Sequence, residues 1–367
     1  MVGLPWLHPS FANSSYKDQD KVFDFLTEKR IPHVRWTDFP LSENAADLVF
    51  LQNPYDSTRP DGWKTTDLVR AGHRLCYIPY GIEIGASRES LEYQFDMRLH
   101  RYAWAIFARS EAHRALFAQH CLTGDRHVAV TGHPKFDDLG RSNRIQPEPE
   151  LVAFARGRPL VLWNPHFDAR LNGTRFGDGF STFLRWRDFF LREFARRPEL
   201  AFVIRPHPNF FSALEERWLM TRAQLDRFVE QCADAGIFIH RSPAYFPMLA
   251  AADAMISDGS SLLIEFGITG KPVCYLHNPD GPMAHLDYEL DFDFVRQHCW
   301  WAMEEPQIRA FLDGLRGAVA DKTGQELRAA ELRRRMGVGD EAIGLQVKRE
   351  IEKRLMLEDS RHEALAV

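Results

Sequence analysis

Three short stretches combine residue types and spacings suited to phosphate chemistry. Ser257-Asp258-Gly259-Ser260-Ser261 follows the apolar run Ala254-Met255-Ile256 and precedes a segment, Leu262 to Ile268, with a single acid, Glu265. A chain turning from strand into helix offers unpaired N–H groups and the positive end of the helix dipole, which together hold an anion. Ser260 and Ser261 add hydroxyls, and Gly259 lets a ligand approach the backbone closely. Glu265, about one turn further on, is placed to accept from two ribose hydroxyls. The plainer alternative makes Asp258 or Ser260 an N-cap and Glu265 a solvated helix residue.

The second stretch is Arg205-Pro206-His207-Pro208, which closes the apolar run Leu200 to Ile204. Its prolines stiffen the backbone on both sides of His207 and remove two N–H donors. A histidine fixed this way can donate to a phosphate or serve as an acid; otherwise it caps a carbonyl within a turn. The third is Asn164-Pro165-His166-Phe167, followed by a polar loop from Asp168 to Gly179. Arg170 and Arg175 in that loop suit closure over an anionic donor, or are incidental to a surface loop. The first half of the chain adds Gln52 to Asp56, Ile78 to Gly81 and Thr131 to Leu139. Tyr80, Asp56 and His133 are candidates for acceptor contact, with Lys135 and Asp137 beside His133. Each also has a structural reading, Tyr80 as a packing aromatic and Asp137 as a helix cap.

These residues need strands that end where they begin. In the second half, Pro159–Asn164, Leu200–Pro206, Ile237–His240, Ala254–Ser257 and Val273–Leu276 read as strands. Phe180–Arg197, Ala213–Cys232, Tyr245–Ala252 and Ser261–Ile268 read as helices between them. In the first half, Asp47–Asn53, Arg74–Tyr80, Trp104–Arg109 and His127–Gly132 read as strands. Helices are expected over Lys21–Arg30 and Ser110–Cys121, with Ser110 as N-cap. Strands alternating with helices imply parallel sheets, here two Rossmann-like domains facing a central cleft. Ligands of such sheets bind outside the carboxyl ends of the strands. The boundary is expected in the Pro- and charge-rich stretch Gly140–Pro159, giving an N-terminal acceptor domain over 1–145 and a nucleotide-donor domain over 146–335. Ile343, Val347, Ile351 and Leu355 recur every fourth residue, so 336–367 is expected to hold an amphipathic helix that docks on the first domain or on a membrane.

The 367 residues, 45% hydrophobic and 26% charged, describe a soluble globular chain. A formal charge of −5 gives no reason to expect a nucleic-acid partner. Cys76, Cys121, Cys232, Cys274 and Cys299 form no CxxC pair, which argues for a reducing compartment and against a zinc site. No apolar run approaches ~18 residues, and the N-terminus lacks the pattern of a signal peptide. A cytoplasmic protein is expected, with peripheral contact at the inner membrane face left open.

The strings "GHPKFDDL", "VLWNPHF", "IRPHPNF" and "ISDGSSLLIEFGITGKPV" together resemble the CDP-glycerol glycerophosphotransferase family, teichoic-acid-polymerase-like enzymes of GT-B arrangement. Asp258, Ser260, Ser261, Glu265, Phe266, Lys271, Pro272 and Val273 match the family pattern, with Gly259 in place of its usual aromatic residue. The resemblance is strong from about Thr131 to Leu276 and weak before Asp47. It implies transfer of a polyol phosphate from a CDP-polyol donor to a hydroxyl of a polysaccharide or polyol-phosphate acceptor, in cell-surface polymer synthesis. It implies that His207 contacts or protonates the departing phosphate, that Ser260 and Ser261 hold the diphosphate with Arg205, Asp258 and Gly259 nearby, and that Glu265 binds the ribose. Family members carry a Trp-His-Gly base in the first domain. Here Pro79-Tyr80-Gly81 stands there, and a tyrosine with pKa near ~10 is a poor base at neutral pH. Asp56, His133 or His166 then takes that role, or the chemistry differs. No DxD-type pair calls for a metal, and no cofactor is expected. The competing readings are a nucleotide-sugar glycosyltransferase, a UDP-sugar 2-epimerase, whose Ser-Gly-Gly corner differs from Ser-Ser, and a non-catalytic nucleotide-binding relative.

Overall fold

The computed structural model describes residues 19–34, 38–39, 46–82, 85–86, 91–140, 145–170, 179–242, 244–281, 288–289 and 292–365. Arg175 lies outside the described residues. The chain divides into two compact units, Met1–Tyr80 with Leu91–Val130, and Gly81–Ser90 with Thr131–Val367. The strands in chain order are β1 (Leu48–Leu51), β2 (Arg74–Tyr77), β3 (Gly85–Ala86), β4 (Ala105–Ala108), β5 (Val128–Val130), β6 (Leu160–Asn164), β7 (Ala201–Ile204), β8 (Ile237–Ile239), β9 (Ala254–Ser257), β10 (Val273–Leu276), β11 (Tyr288–Glu289) and β12 (Trp300–Ala302).

The first unit holds a four-stranded sheet in the order β1-β2-β4-β5, parallel throughout. Central β4 is buried along its length, as a parallel strand covered on both faces must be. The helix Glu111–His120 follows it, and the Ser110 hydroxyl accepts the His113 N–H at 3.2 Å, as the sequence led us to expect.

The second unit is built on a six-stranded parallel sheet in the order β12-β10-β9-β6-β7-β8. Its strands alternate between two cores. Leu160, Leu162, Val203, Met255 and Tyr275 face one, and Val161, Trp163, Phe202, Ile256 and Cys274 face the other. The helix Phe183–Ala195 covers the second with Phe183, Trp186, Phe189, Phe190 and Phe194. The helix Leu262–Gly267 and the helix Phe246–Ala251 cover the first with Leu263, Ile264, Phe266, Met248 and Leu249.

Three expectations change. The helix expected over Ala213–Cys232 is two, Phe210–Glu216 and Arg222–Asp234. Trp218 between them has φ +57°, which no helix continues through, and Thr221 with Gln224 forms a capping box that starts the second. The division between units falls after Val130 rather than at 145. Thr131–Gly140 belongs with the C-terminal segment, because Gly132 (φ +84°) is packed so closely that a Cβ there would lie 2.8 Å from the Met336 carbonyl oxygen. The last helix, Ile343–Leu365, is not a separate body. Its first turn is capped within the second unit by Asp137, whose carboxylate accepts the N–H groups of Ile343 (2.7 Å) and Gly344 (2.9 Å).

Candidate functional site

From β6 the second sheet grows outward through β7 and β8, then returns to the other side of β6 with β9, β10 and β12. The order reverses between β6 and β9, and a parallel sheet opens a ligand crevice outside the carboxyl ends of its strands at such a point. The stretches after β6, β7 and β9 are those carrying His166, His207 and Ser257–Ser261. Polar contacts stitch their ends together. The Ser257 hydroxyl donates to the Asn164 carbonyl at 3.0 Å, and the Asn164 amide donates to the Arg205 carbonyl at 2.9 Å.

Asp258 is the clamp of this corner. It is 1% exposed and accepts the His166 N–H (2.7 Å), the Thr182 N–H (2.8 Å) and the Thr182 hydroxyl (3.3 Å). It thereby joins β9 to the loop after β6 and to the start of the helix Phe183–Ala195. Burial pushes its carboxyl up to about 6, against the opposing pull of those donors. It is an internal organiser rather than a phosphate contact.

The corner that follows differs from the expected anion site. Its helix runs only six residues, so the dipole is short. Two of its leading amides are already satisfied, Leu262 N–H by the Ser260 hydroxyl (3.2 Å) and Leu263 N–H by the Ser260 carbonyl (3.0 Å). The amides of Ser260 and Ser261 find no acceptor among the described residues. Gly259 directly precedes them, and its φ lies outside the left-handed region. Beyond the helix, Gly270 (φ +70°) passes so close to the Gln325 backbone that no side chain fits. Lys271, matched to the family pattern, caps the C-terminus of the helix Phe246–Ala251 by donating to the carbonyls of Ala250 (2.9 Å) and Ala252 (2.6 Å).

Glu265 is neither solvated nor open to a ribose in this conformation, being 1% exposed. Its Oε1 accepts from Lys135 Nζ (3.1 Å) and the Ser261 hydroxyl (3.2 Å), and its Oε2 from the Tyr245 hydroxyl (2.6 Å). Tyr245 in turn lies under Arg205, whose guanidinium carbon is 5.3 Å from the ring centroid. Arg205 is likewise buried rather than presented to ligand. It donates to the Ser242 carbonyl (2.8 Å) and to His240 Nδ1 (2.6 Å), and His240 Nε2 then donates to Glu148 (2.8 Å). Arginine cannot accept, so this fixes the His240 tautomer. Lys135, Glu265, Tyr245, Arg205, His240 and Glu148 form one continuous polar floor. Tyr245, His240 and Glu148 were missed from the sequence. Tyr245 opens a segment that reads only as an apolar helix, and the other two are isolated in the chain.

Three histidines share one local lock. The Nδ1 atoms of His133, His166 and His207 each accept the backbone N–H two residues on, from Lys135 (3.2 Å), Asp168 (3.1 Å) and Asn209 (3.2 Å). Each imidazole therefore carries its proton on Nε2 when neutral. Burial first, then the His207 ring, hold His166 near 4. The mass of surrounding protein and then the Arg205 charge bring His207 to about 4, although its side chain reaches the surface. His133 is buried, and Lys135 beside it serves Glu265 rather than an acceptor. Asp168, 6% exposed, pairs with Arg170 (2.5 Å) and Arg217. Burial alone would raise its carboxyl, but the two guanidiniums outweigh that and hold it low. The three groups leave a net positive rim beside His166.

Of the remaining candidates, Asp56 and Tyr80 belong to the first unit and Asp137 to the second. Asp56 Oδ1 accepts from Arg59 (2.5 Å), the Thr65 N–H (2.9 Å) and the Thr65 hydroxyl (2.7 Å). It ties down the start of the helix Thr65–Arg70, which is a structural task. Tyr80 is 59% exposed. Asp137 caps the last helix, as given above, and is not an acceptor contact.

The model of the CDP-glycerol:poly(glycerophosphate) glycerophosphotransferase family matches residues 78–281, more than half of the chain. The chain belongs to this family. The match spans the ends of β6, β7 and β9, so the glycerophosphotransferase motifs and the sheet's switch point coincide. Among solved structures, the wall teichoic acid polymerase TagF is similar at TM-score 0.53 and 12% identity, over 94% of this chain and 87% of that one. A TagF variant soaked with CDPG is similar at TM-score 0.50 and 12% identity, over 91% and 78%. A UDP-N-acetylglucosamine 2-epimerase is similar at TM-score 0.51 and 12% identity, over 83% and 72%. At these identities the likeness is one of fold, the GT-B-like α/β class with parallel sheets. No curated protein matches the sequence. Among the described residues no helix is long and apolar enough to cross a membrane.

Proposed function

We propose that this family member moves glycerol phosphate from CDP-glycerol to a hydroxyl of a polysaccharide or polyol-phosphate acceptor. The acceptor oxygen bonds to the glycerol-bearing phosphorus, the bond from that phosphorus to the bridging oxygen breaks, and CMP leaves with that oxygen. The acceptor hydroxyl loses its proton to base or solvent. The observation that carries the reading is the coincidence of the family's motifs with the switch point between β6 and β9, where His166, His207 and the Ser260–Ser261 amides collect. CDPG, named with one TagF structure of the same fold, supports the donor.

In this reading His207 donates from Nε2 to the phosphate that departs. The Ser260 and Ser261 amides and the Arg170–Asp168–Arg217 rim meet the remaining diphosphate charge, as preorganised donors do in low dielectric. No metal is invoked. The floor of Glu265, Tyr245, Lys135 and Arg205 holds the corner in shape, and ribose recognition by Glu265 would require Lys135 or Tyr245 to yield. CMP release from CDP-glycerol, with and without a glycerol-phosphate acceptor, tests the proposal. Acceptor-dependent CMP release is expected. Release from a UDP-sugar instead would favour a glycosyltransferase, and binding without turnover a non-catalytic relative.

A further inference from the structure

His166 and His207 lie against the same aromatic ring. The Phe167 centroid is 4.7 Å from the His166 ring, with planes 30° apart, and 4.7 Å from the His207 ring, with planes 35° apart. Phe180 packs on His166 at 5.0 Å. The His166 backbone is fixed by Asp258, and its Nδ1 by the Asp168 N–H. Its orientation is thus set by two hydrogen bonds and two ring contacts. Its Nε2–H nevertheless has no acceptor among the described residues, and the ring is half-buried rather than enclosed. The Nε2–H of His207 likewise has no acceptor among the described residues, and His207 is exposed. A donor oriented this firmly and open at a strand end is placed to meet a ligand, and the adjacent Arg170–Asp168–Arg217 rim favours an anion there.

The geometry points to His166 as a second N–H donor to the diphosphate of the substrate, paired with His207 through Phe167. This rests on the proposed reading of the corner as a diphosphate site. A neutral donor pair of this kind favours an oxygen-rich anion with several acceptors over a single carboxylate. The two imidazoles then share the work of one positioned fork, each bringing one N–H.

The test uses the full chain labelled with ¹⁵N-histidine, with CDP and inorganic pyrophosphate as probes. In the free protein, long-range ¹H–¹⁵N spectra should show protonated Nε2 and bare Nδ1 at both His166 and His207. Saturating CDP should move both Nε2 resonances, and pyrophosphate should move the same pair. His166→Ala should raise the Kd for CDP roughly 10- to 100-fold, and His166→Gln, which keeps a neutral N–H donor, should recover most of the loss. If CDP binds the wild type and moves the His207 resonance while His166 stays still, the inference is overturned and the reading of the site stands. If CDP does not bind the wild type at all, both fall. The spectra of the unmutated protein decide the matter even if a variant fails to fold.

Discussion

Asp258 offers the sharpest check on how the corner is built, because two opposing effects act on one buried carboxyl. Burial favours the protonated form, and the His166 and Thr182 donors favour the carboxylate. The structure has burial winning, with the carboxyl at about 6 against 3.8 for an ordinary aspartate. The folded state then holds the proton more tightly than the unfolded chain. The stabilisation this gives is complete below the unfolded pKa and is lost as pH rises through the folded one. Its size is the shift converted to free energy, about 3 kcal/mol. Asp258→Asn cannot titrate, but it turns an NH₂ toward one of the N–H donors, an unmade buried bond costing about 1–3 kcal/mol. The stability of wild type minus that of Asp258→Asn, from urea unfolding at a series of pH values, should therefore fall by about 3 kcal/mol between pH 3.5 and pH 7. Histidine titrations common to both proteins cancel in the difference. Amide exchange at His166 and Thr182 should quicken in the variant and report the same corner locally. A difference that stays flat, or grows toward neutral pH, would show that the donors outweigh burial and that the clamp is an ordinary stabilised carboxylate.

His207→Ala should lower acceptor-dependent CMP release by roughly 10²- to 10⁴-fold while leaving the thermal midpoint in place; unchanged turnover removes His207 from the chemistry. Tyr245→Phe deletes a 2.6 Å bond to a buried carboxylate and should cost about 1.5–3 kcal/mol in urea unfolding, with equal stability refuting the floor described for the corner. In the first unit, burial holds fully enclosed His100 near 3, below its ordinary 6.5. The unfolded chain then binds the extra proton first, so stability is lost as pH falls below 6.5, by about 2 kcal/mol at pH 5. His100→Gln should remove that dependence, and an unaltered acid profile would contradict it.

What the sequence made legible follows physical lines. The strands of the second unit were readable because both faces are buried, so residues 160–163 and 254–256 appear as unbroken apolar runs. The strand-end motifs could then be placed on the ligand side by the rule for parallel sheets alone. The break at Trp218 was not readable, because the apolar spacing continues through it and only φ +57° marks the change. Asp137 is a helix cap, as its structural reading allowed, but neither the helix it caps nor the clamp made by Asp258 was readable, for one reason. Each accepts from residues distant in the chain, 206 positions away for Ile343 and 92 for His166, and no local pattern announces such a partner. Glu265 was read as a ribose contact or a solvated helix residue, and only its neighbours Lys135 and Tyr245 show that it is enclosed.

The shared tautomer bears on the family's missing Trp-His-Gly base. A general base must offer a free lone pair near the acceptor hydroxyl. His133, His166 and His207 each spend the Nδ1 lone pair on a backbone N–H and carry a proton at Nε2, so in this state they donate. Asp56 is paired with Arg59, and Arg59 and Thr65 hold its carboxyl below the ordinary value despite burial, which makes it a weak base. The chemistry tolerates this. In the proposed reading the departing CMP phosphate takes up negative charge, and the demand is for preorganised donors aimed at it. On that reading His166 and His207 would meet the demand as neutral N–H donors fixed by their own backbone, since both lie near 4 and are neutral at physiological pH.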